Sequence, residues 1–298
     1  MKNPVFTGAS VAIVTPMFED GSVNFENLKK LIEFQIENGI DSITICGTTG
    51  EASTLDDEEH CQVIEFCVKQ VNGRVPVVAG TGSNNTHHAL ELSLFAEKAG
   101  ADAVLITTPY YNKTTQRGLI NHYTFLADRL STPIILYNVP SRTALSFTAN
   151  TYFELSKHPN INGVKEASGD FSLIAQTASL CGDNLNIWSG NDDHTIPIMA
   201  LGGLGVISTS ANVIPGVMAE ACKLFTAGET KEANGLMLRY LEVMNNLFTE
   251  VNPIPVKTAL KLMGMDNGHM RLPLFPMAPD NAAKLRAALV KMGIKVVE

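Results

Sequence analysis

Paired cysteines are the first thing this 298-residue chain lacks. Its five cysteines (Cys46, Cys61, Cys67, Cys181 and Cys222) are odd in number and include no C-x-x-C pair. That argues against a disulfide framework or zinc ribbon and for reduced thiols in an intracellular protein. No apolar run approaches the roughly 18 residues that a membrane span needs. The first residues, MKNPVFTGAS, lack the apolar centre of a secretory signal, so a cytoplasmic location is expected. Charge is also scarce, at 17% of residues, and the formal net charge is −8 with no basic stripe, which excludes an ordinary nucleic-acid surface. Several catalytic signatures are missing too. GTGSNN (80–85) has no third glycine of a dinucleotide fingerprint, and there is no Walker A or G-x-S-x-G sequence. GGLG (202–205) leaves phosphate binding open on slender grounds. His87 and His88 are adjacent and diverge, and no H-E-x-x-H or Cys/His spacing appears, so no metal site is expected. The acidic run Asp56–Glu59 reads as a solvated first helical turn that complements the helix dipole.

What the chain does have is a repeated unit. Apolar residues make up 45% of it, and eight short apolar runs each end in a polar or glycine-rich turn. They are SVAIVTP (10–16), SITICGTTGE (42–51), VPVVAGTGSN (75–84), DAVLITTPYY (102–111), PIILYNVPSR (133–142), NGVKEASG (162–169), NIWSGND (186–192) and GLGVISTSAN (203–212). Helical periodicity lies between most of them, as in Phe25–Asn38, Asp57–Gln70 and Asn85–Ala99, with Ser22, Asp56, Thr114 and Thr148 as candidate N-caps. Apolar strands alternating with helices imply a parallel sheet covered on both faces, and eight units predict a closed (β/α)8 TIM barrel. An open doubly wound sheet is the runner-up. Beyond residue 212 only helices are expected, at Pro215–Ala227, Glu229–Val251, Pro255–Met263 and Pro279–Met292. The expected organisation is a catalytic barrel over residues 1–227 and a C-terminal helical extension over 228–298.

In a parallel barrel every strand delivers its C-terminal end to one face, where the chemistry sits. Thr48, Thr49, Glu51, Tyr110, Tyr111, Tyr137, Arg142, Lys165, Asn191 and Asp192 all fall at such ends. Lys165 stands out, because it follows the apolar stretch Ile161–Val164. Desolvation disfavours a charged amine, and a neutral amine can attack a carbonyl to form a Schiff base. The competing reading is a lysine that snorkels to solvent or pairs with Glu166. A phenol at Tyr137 suits the proton transfers of imine chemistry, GTTG (47–50) offers N–H groups and hydroxyls to a carboxylate, and Arg142 can take a second carboxylate in a bidentate pair. Taken singly, each of these could be a packing, surface or turn residue.

The motifs GTTGE (47–51), TPYYNK (108–113), LYNVPSRT (136–143), GVKEASGD (163–170), SGND (189–192) and GGLGVIS (202–208) together resemble the dihydrodipicolinate synthase family, in the same order and over essentially the whole chain. The resemblance implies a class I aldolase-type lyase of lysine (diaminopimelate) biosynthesis. Such an enzyme condenses pyruvate with L-aspartate 4-semialdehyde to give 4-hydroxy-tetrahydrodipicolinate, with no metal or organic cofactor. It implies that Lys165 forms the imine, that Thr48 and Thr49 hold the pyruvate carboxylate with Thr49 also in a proton relay, and that Tyr137 moves protons. Tyr111 would complete the relay from a neighbouring subunit of a homodimer or a dimer of dimers (a homotetramer). Arg142 would bind the semialdehyde carboxylate, while Gly190, Asn191 and the Ile207 carbonyl would line the pocket.

Two alternatives accompany this reading. One is a sister aldolase, an N-acetylneuraminate lyase or keto-deoxy-sugar aldolase. These typically carry a serine in the first motif and have no need of a carboxylate clamp at Arg142. The other is a non-catalytic barrel that binds a keto acid. The resemblance further implies a lysine effector site near Ala52, Ser53, Asp57, His60, Asn84, His88 and Tyr110. Inhibited members usually place a glutamate where this chain has His88, so weak or absent inhibition by lysine is expected, with Asp57 as a nearby carboxylate.

Overall fold

The computed structural model describes residues 2–297. Each apolar run yields one strand: β1 (Gly8–Ala12), β2 (Ser42–Ile45), β3 (Val77–Gly80), β4 (Ala103–Thr107), β5 (Ile134–Asn138), β6 (Ile161–Glu166), β7 (Asn186–Ser189) and β8 (Gly205–Ser208). They pair in parallel in chain order, and β1 closes on β8, so the molecule is a (β/α)8 barrel rather than an open sheet. The strands are shorter than the runs that announced them. The polar tails, such as CGTTGE after β2, leave the ladder and form the loops of the C-terminal face. β6 runs on through Lys165 to Glu166, so the lysine is the penultimate strand residue and not the tip.

Helices fill the intervals, among them Phe25–Glu37, Asp57–Val71 and Thr86–Ala99. Asp56 and Thr148 act as N-caps as expected, Asp56 within a capping box with Glu59. Ser22 and Thr114 do not. Asn24 and Thr115 cap instead, because their side-chain oxygens reach the N–H groups of Asn27 (3.0 Å) and Gly118 (3.2 Å). Ser22 is held in a turn by Asp20, to which its hydroxyl donates at 2.6 Å. After β8 the helix Pro215–Thr226 packs against β1, and Thr230–Asn246, Ile254–Leu262 and Pro279–Lys291 follow. The second of these four stops at Asn246, short of the expected Val251.

Because strand side chains alternate, one set faces the helices and the other fills the barrel. Ala12, Val78, Leu105, Ile135, Tyr137, Trp188 and Ile207 belong to the inner set, with Phe6 stacked on Trp188 at 5.0 Å between ring centroids. Gly163 makes room for that indole: any β-carbon there would collide with the Asn186 carbonyl and the Trp188 ring. Among the described residues no helix is long and apolar enough to cross a membrane.

Candidate active site

The register of β5, β6 and β7 sets Tyr137, Lys165 and Trp188 side by side on the inner face. Lys165 is 6% exposed, and its ammonium lies 4.5 Å from the centroid of the Tyr137 ring, a cation–π contact. Glu166, one residue on, points to the opposite face. There it accepts from the Tyr152 hydroxyl (2.8 Å), from Asn138 Nδ2 (3.1 Å) and from the Ser168 N–H (2.8 Å). The Lys165–Glu166 pairing that would have made the lysine structural is therefore absent. The stem of the lysine is enclosed as well. Gly190 lies against its stem, since a β-carbon at Gly190 would stand 3.2 Å from Lys165 Cε and 2.6 Å from Ala167 Cβ. Ile207 is fully buried within the barrel. Asn191 sits half-buried after β7 beside His194, with Asn191 Nδ2 3.2 Å from the imidazole.

Asp192 belongs with this group, although the motif pattern gave it no role. It is buried, and Oδ2 accepts from the Ser210 N–H (2.9 Å) and hydroxyl (2.7 Å) while Oδ1 has no partner. Burial pushes its carboxyl up from the usual range, opposed by the serine hydrogen bonds and by the charge of Lys165.

The GTTGE turn is closed by Gly50 and Glu51 N–H groups donating to Gly47 and Thr48 carbonyls, and the Thr48 and Thr49 N–H groups have no backbone partner among the described residues. Its two flanks, Cys46 (φ 53°) and Glu51 (φ 54°), take left-handed conformations that non-glycine residues rarely adopt. Thr48 is half-buried, while Thr49 is buried, with its hydroxyl 3.4 Å from that of Thr209. Thr48, Tyr137 and Arg142 line one cavity of about 500 Å³. Arg142 is exposed at its rim, and its Nη2 donates to the Asn252 carbonyl at 3.0 Å.

The same cavity continues to Ala52, Ser53, Asp57, His60, His88 and Tyr110, so most of the expected effector residues share it with Thr48, Tyr137 and Arg142, while Lys165 and Thr49 do not line it. Asn84 is outside it, its carbonyl accepting from Asn112 Nδ2 at 2.9 Å. His88 bridges two groups, Nε2 lying 2.9 Å from Asp57 Oδ1 and Nδ1 3.2 Å from Ser83 Oγ. His60 donates from Nε2 to the Gly80 carbonyl at 2.8 Å, and burial holds its pKa below the usual histidine value. Tyr111 does not enter the cavity of its own chain. It is 93% exposed, on a loop residue with φ 68°.

Sequence reasoning missed Asn252, whose Nδ2 donates to Thr49 Oγ1 at 2.9 Å, and Lys257, which pairs with Glu51 at 2.6 Å. Both lie in the C-terminal extension, and nothing in their local pattern marks them. Among the described residues no cluster of three or more His, Cys, Asp or Glu side chains is placed to hold a metal ion.

Comparison with known proteins identifies the family of the chain. The model of the dihydrodipicolinate synthetase family matches residues 5–292. A 4-hydroxy-tetrahydrodipicolinate synthase of Thermoanaerobacter sp. (strain X514) is 54% identical over 292 residues, covering 98% of each chain. Among solved structures, the chloride-inhibited dihydrodipicolinate synthase of Acinetobacter baumannii, complexed with pyruvate, superimposes with a TM-score of 0.95 at 45% identity, covering 97% of this chain and 99% of the other. A monomeric dihydrodipicolinate synthase variant does so with a TM-score of 0.95 at 39% identity, covering 98% of each. The chain belongs to the dihydrodipicolinate synthetase family.

Proposed function

We propose that the barrel condenses pyruvate with L-aspartate 4-semialdehyde, the 4-hydroxy-tetrahydrodipicolinate synthase reaction, through a Schiff base on Lys165. The observation that carries this assignment is the buried Lys165 side chain against the Tyr137 ring, with Glu166 turned away to the other face. Its deprotonated amine attacks the pyruvate carbonyl, water leaves, and loss of a methyl proton gives the enamine that attacks the aldehyde. Tyr137 supplies and removes those protons from the neighbouring strand. Thr48 and Thr49 hold the pyruvate carboxylate, Arg142 at the cavity rim takes the semialdehyde carboxylate, and Gly190, Asn191 and the Ile207 carbonyl shape the wall beside the lysine. The guanidinium at the rim favours this substrate over a neutral sugar chain. The division into a catalytic barrel (1–227) and helical extension (228–298) is part of the same proposal, as is a cytoplasmic setting.

Tyr111 works across a subunit contact. A tyrosine 93% exposed on a left-handed residue has no partner to hold it in its own chain, which fits insertion into a second copy. Because one structural relative is a monomeric variant, dimer and tetramer are to be distinguished by sedimentation, with Tyr111→Phe tested for loss of activity in the assembled protein.

Incubation with pyruvate, borohydride reduction and peptide mapping tests the assignment. A pyruvate adduct on Lys165 and cyclised product on adding the semialdehyde are expected. No adduct would return the chain to a keto-acid-binding barrel, and an adduct without condensation would point to a sister aldolase.

The effector site is expected to bind lysine weakly. Asp57 is already engaged by His88, and the histidine lacks the fixed negative charge that an effector ammonium needs. In a titration with L-lysine, activity should stay above half up to about 1 mM. Losing one charge-assisted contact of about 1.5–3 kcal/mol weakens affinity by at least an order of magnitude. Half-inhibition well below that concentration would refute the expectation.

A further inference from the structure

The proposed function puts one substrate carboxylate on Thr48 and Thr49 and the other on Arg142, and the role inferred here for the C-terminal extension rests on that reading. Both places are reached from one stretch of the extension, Asn252–Arg271. The buried Asn252 side chain donates to Thr49 Oγ1 (2.9 Å), while its own carbonyl accepts from Arg142 Nη2 (3.0 Å). A hydroxyl that accepts from Asn252 keeps its own proton for another acceptor, and a carboxylate is the strongest one on offer.

Five residues on, Lys257 is fully buried and spends its three donors on three different segments: Glu51 Oε1 (2.6 Å), the Thr15 carbonyl (2.8 Å) and the His269 carbonyl (2.6 Å). Glu51 closes the GTTGE turn in its left-handed conformation, and its second oxygen accepts from the Arg271 N–H at 3.2 Å. Thr15, held by Lys257 through its carbonyl, donates from its hydroxyl to the Gly50 carbonyl at 2.7 Å. The turn that receives the first carboxylate is thus braced at Thr49, Gly50 and Glu51, each time directly or at one remove by Asn252 or Lys257.

We propose that Asn252 and Lys257 are positioning residues of the reaction: they hold the strained GTTGE turn and the Arg142 guanidinium in the spacing that the two substrate carboxylates require. Neither needs to touch substrate. Lys257 acts through Glu51, and Asn252 acts through Thr49 and Arg142. The C-terminal extension is then a working part of the site, because barrel loops alone leave Glu51 without its counter-charge and Thr49 without the Asn252 amide.

The test is steady-state kinetics for both substrates on Thr49→Val, Asn252→Ala and the charge-neutral double variant Lys257→Met/Glu51→Gln, with thermal unfolding followed in parallel. Asn252→Ala and the double variant should each raise KM for pyruvate by about fivefold or more in cooperatively folded protein, the scale of one lost hydrogen bond. Asn252→Ala should leave KM for the semialdehyde within about twofold, because the bond to Arg142 comes from the main chain. A merely structural role would lower the melting temperature and the active fraction with both KM values unchanged, and that result overturns the inference. If the double variant does not fold, Asn252→Ala decides alone, since it orphans no charge. Thr49→Val separates the carboxylate assignment from the bracing. An unchanged pyruvate KM in that variant removes the carboxylate assignment and the inference with it, whereas a raised KM there with none in the other two removes only the bracing.

Discussion

Two lysines lie inside this protein, and their surroundings are opposite. Lys165 hangs in the barrel between aromatic and aliphatic side chains, with the Tyr137 ring at 4.5 Å beside its ammonium. Lys257 is more deeply buried, and its ammonium meets a carboxylate and two carbonyls within 2.8 Å. Burial alone therefore does not make a lysine reactive. An ammonium whose three donors are all taken acts as a strut, whereas one packed on a ring face keeps its donors free for a ligand. The difference arises from placement. β6 delivers Lys165 to the inner face while sending Glu166 outward, and the buried Asp192 carboxylate nearby is held by Ser210 instead of pairing with the lysine.

Removing each lysine should break the protein in a different way. Lys165→Met is expected to abolish borohydride trapping and cut kcat by at least about 10³-fold, since no other amine can supply the covalent step. The melting temperature of that variant should change little, because the substitution breaks no direct ion pair or hydrogen bond. Loss of fold together with activity would mean that Lys165, too, is structural. Lys257→Met should leave Glu51 buried and uncompensated, costing about 3–5 kcal/mol in urea unfolding. The double variant with Glu51→Gln should recover part of that loss, and equal losses in single and double variants would show that the pair contributes nothing as a pair.

The same contrast explains what the sequence disclosed. The eight strands were legible because a parallel barrel needs apolar runs at every turn of the chain, and polar tails mark where each leaves the sheet. Lys165 was legible because an ionisable residue interrupts such a run. Lys257 was not. It lies in the helix Ile254–Leu262, where a lysine ordinarily reads as solvated, and its partner Glu51 is 206 residues away. Asn252 has the same difficulty, its contact to Thr49 spanning 203 residues. The N-cap positions slipped at Ser22 and Thr114 for a smaller reason: neighbouring Asn24 and Thr115 carry equally competent oxygens, and only the chain path selects between them. Tyr111 could be placed on the site's face but not in it, because its contacts within one chain do not explain its conformation.

A smaller effect extends the comparison to a third buried base. His122 is 6% exposed, with Nδ1 2.9 Å from the Thr86 hydroxyl and no partner at Nε2, so it resembles Lys165 in lacking a carboxylate. Burial lowers its pKa from 6.5 to about 4. Between those values the unfolded chain binds a proton that the folded chain refuses, so stability present at neutral pH is lost as the pH falls from about 6.5 toward 4. The expected loss through this one group is of order 1–3 kcal/mol, readable as the difference in urea midpoints between about pH 7 and pH 4.5. Carboxylates and the buried His60 also contribute to that slope, so the decisive quantity is its change in His122→Gln, which removes the titration and keeps a polar partner for Thr86. A flatter profile in the variant would show that the buried imidazole, a base without a carboxylate beside it, carries its charge at a cost. An unchanged slope would mean that the fold tolerates His122 in either protonation state.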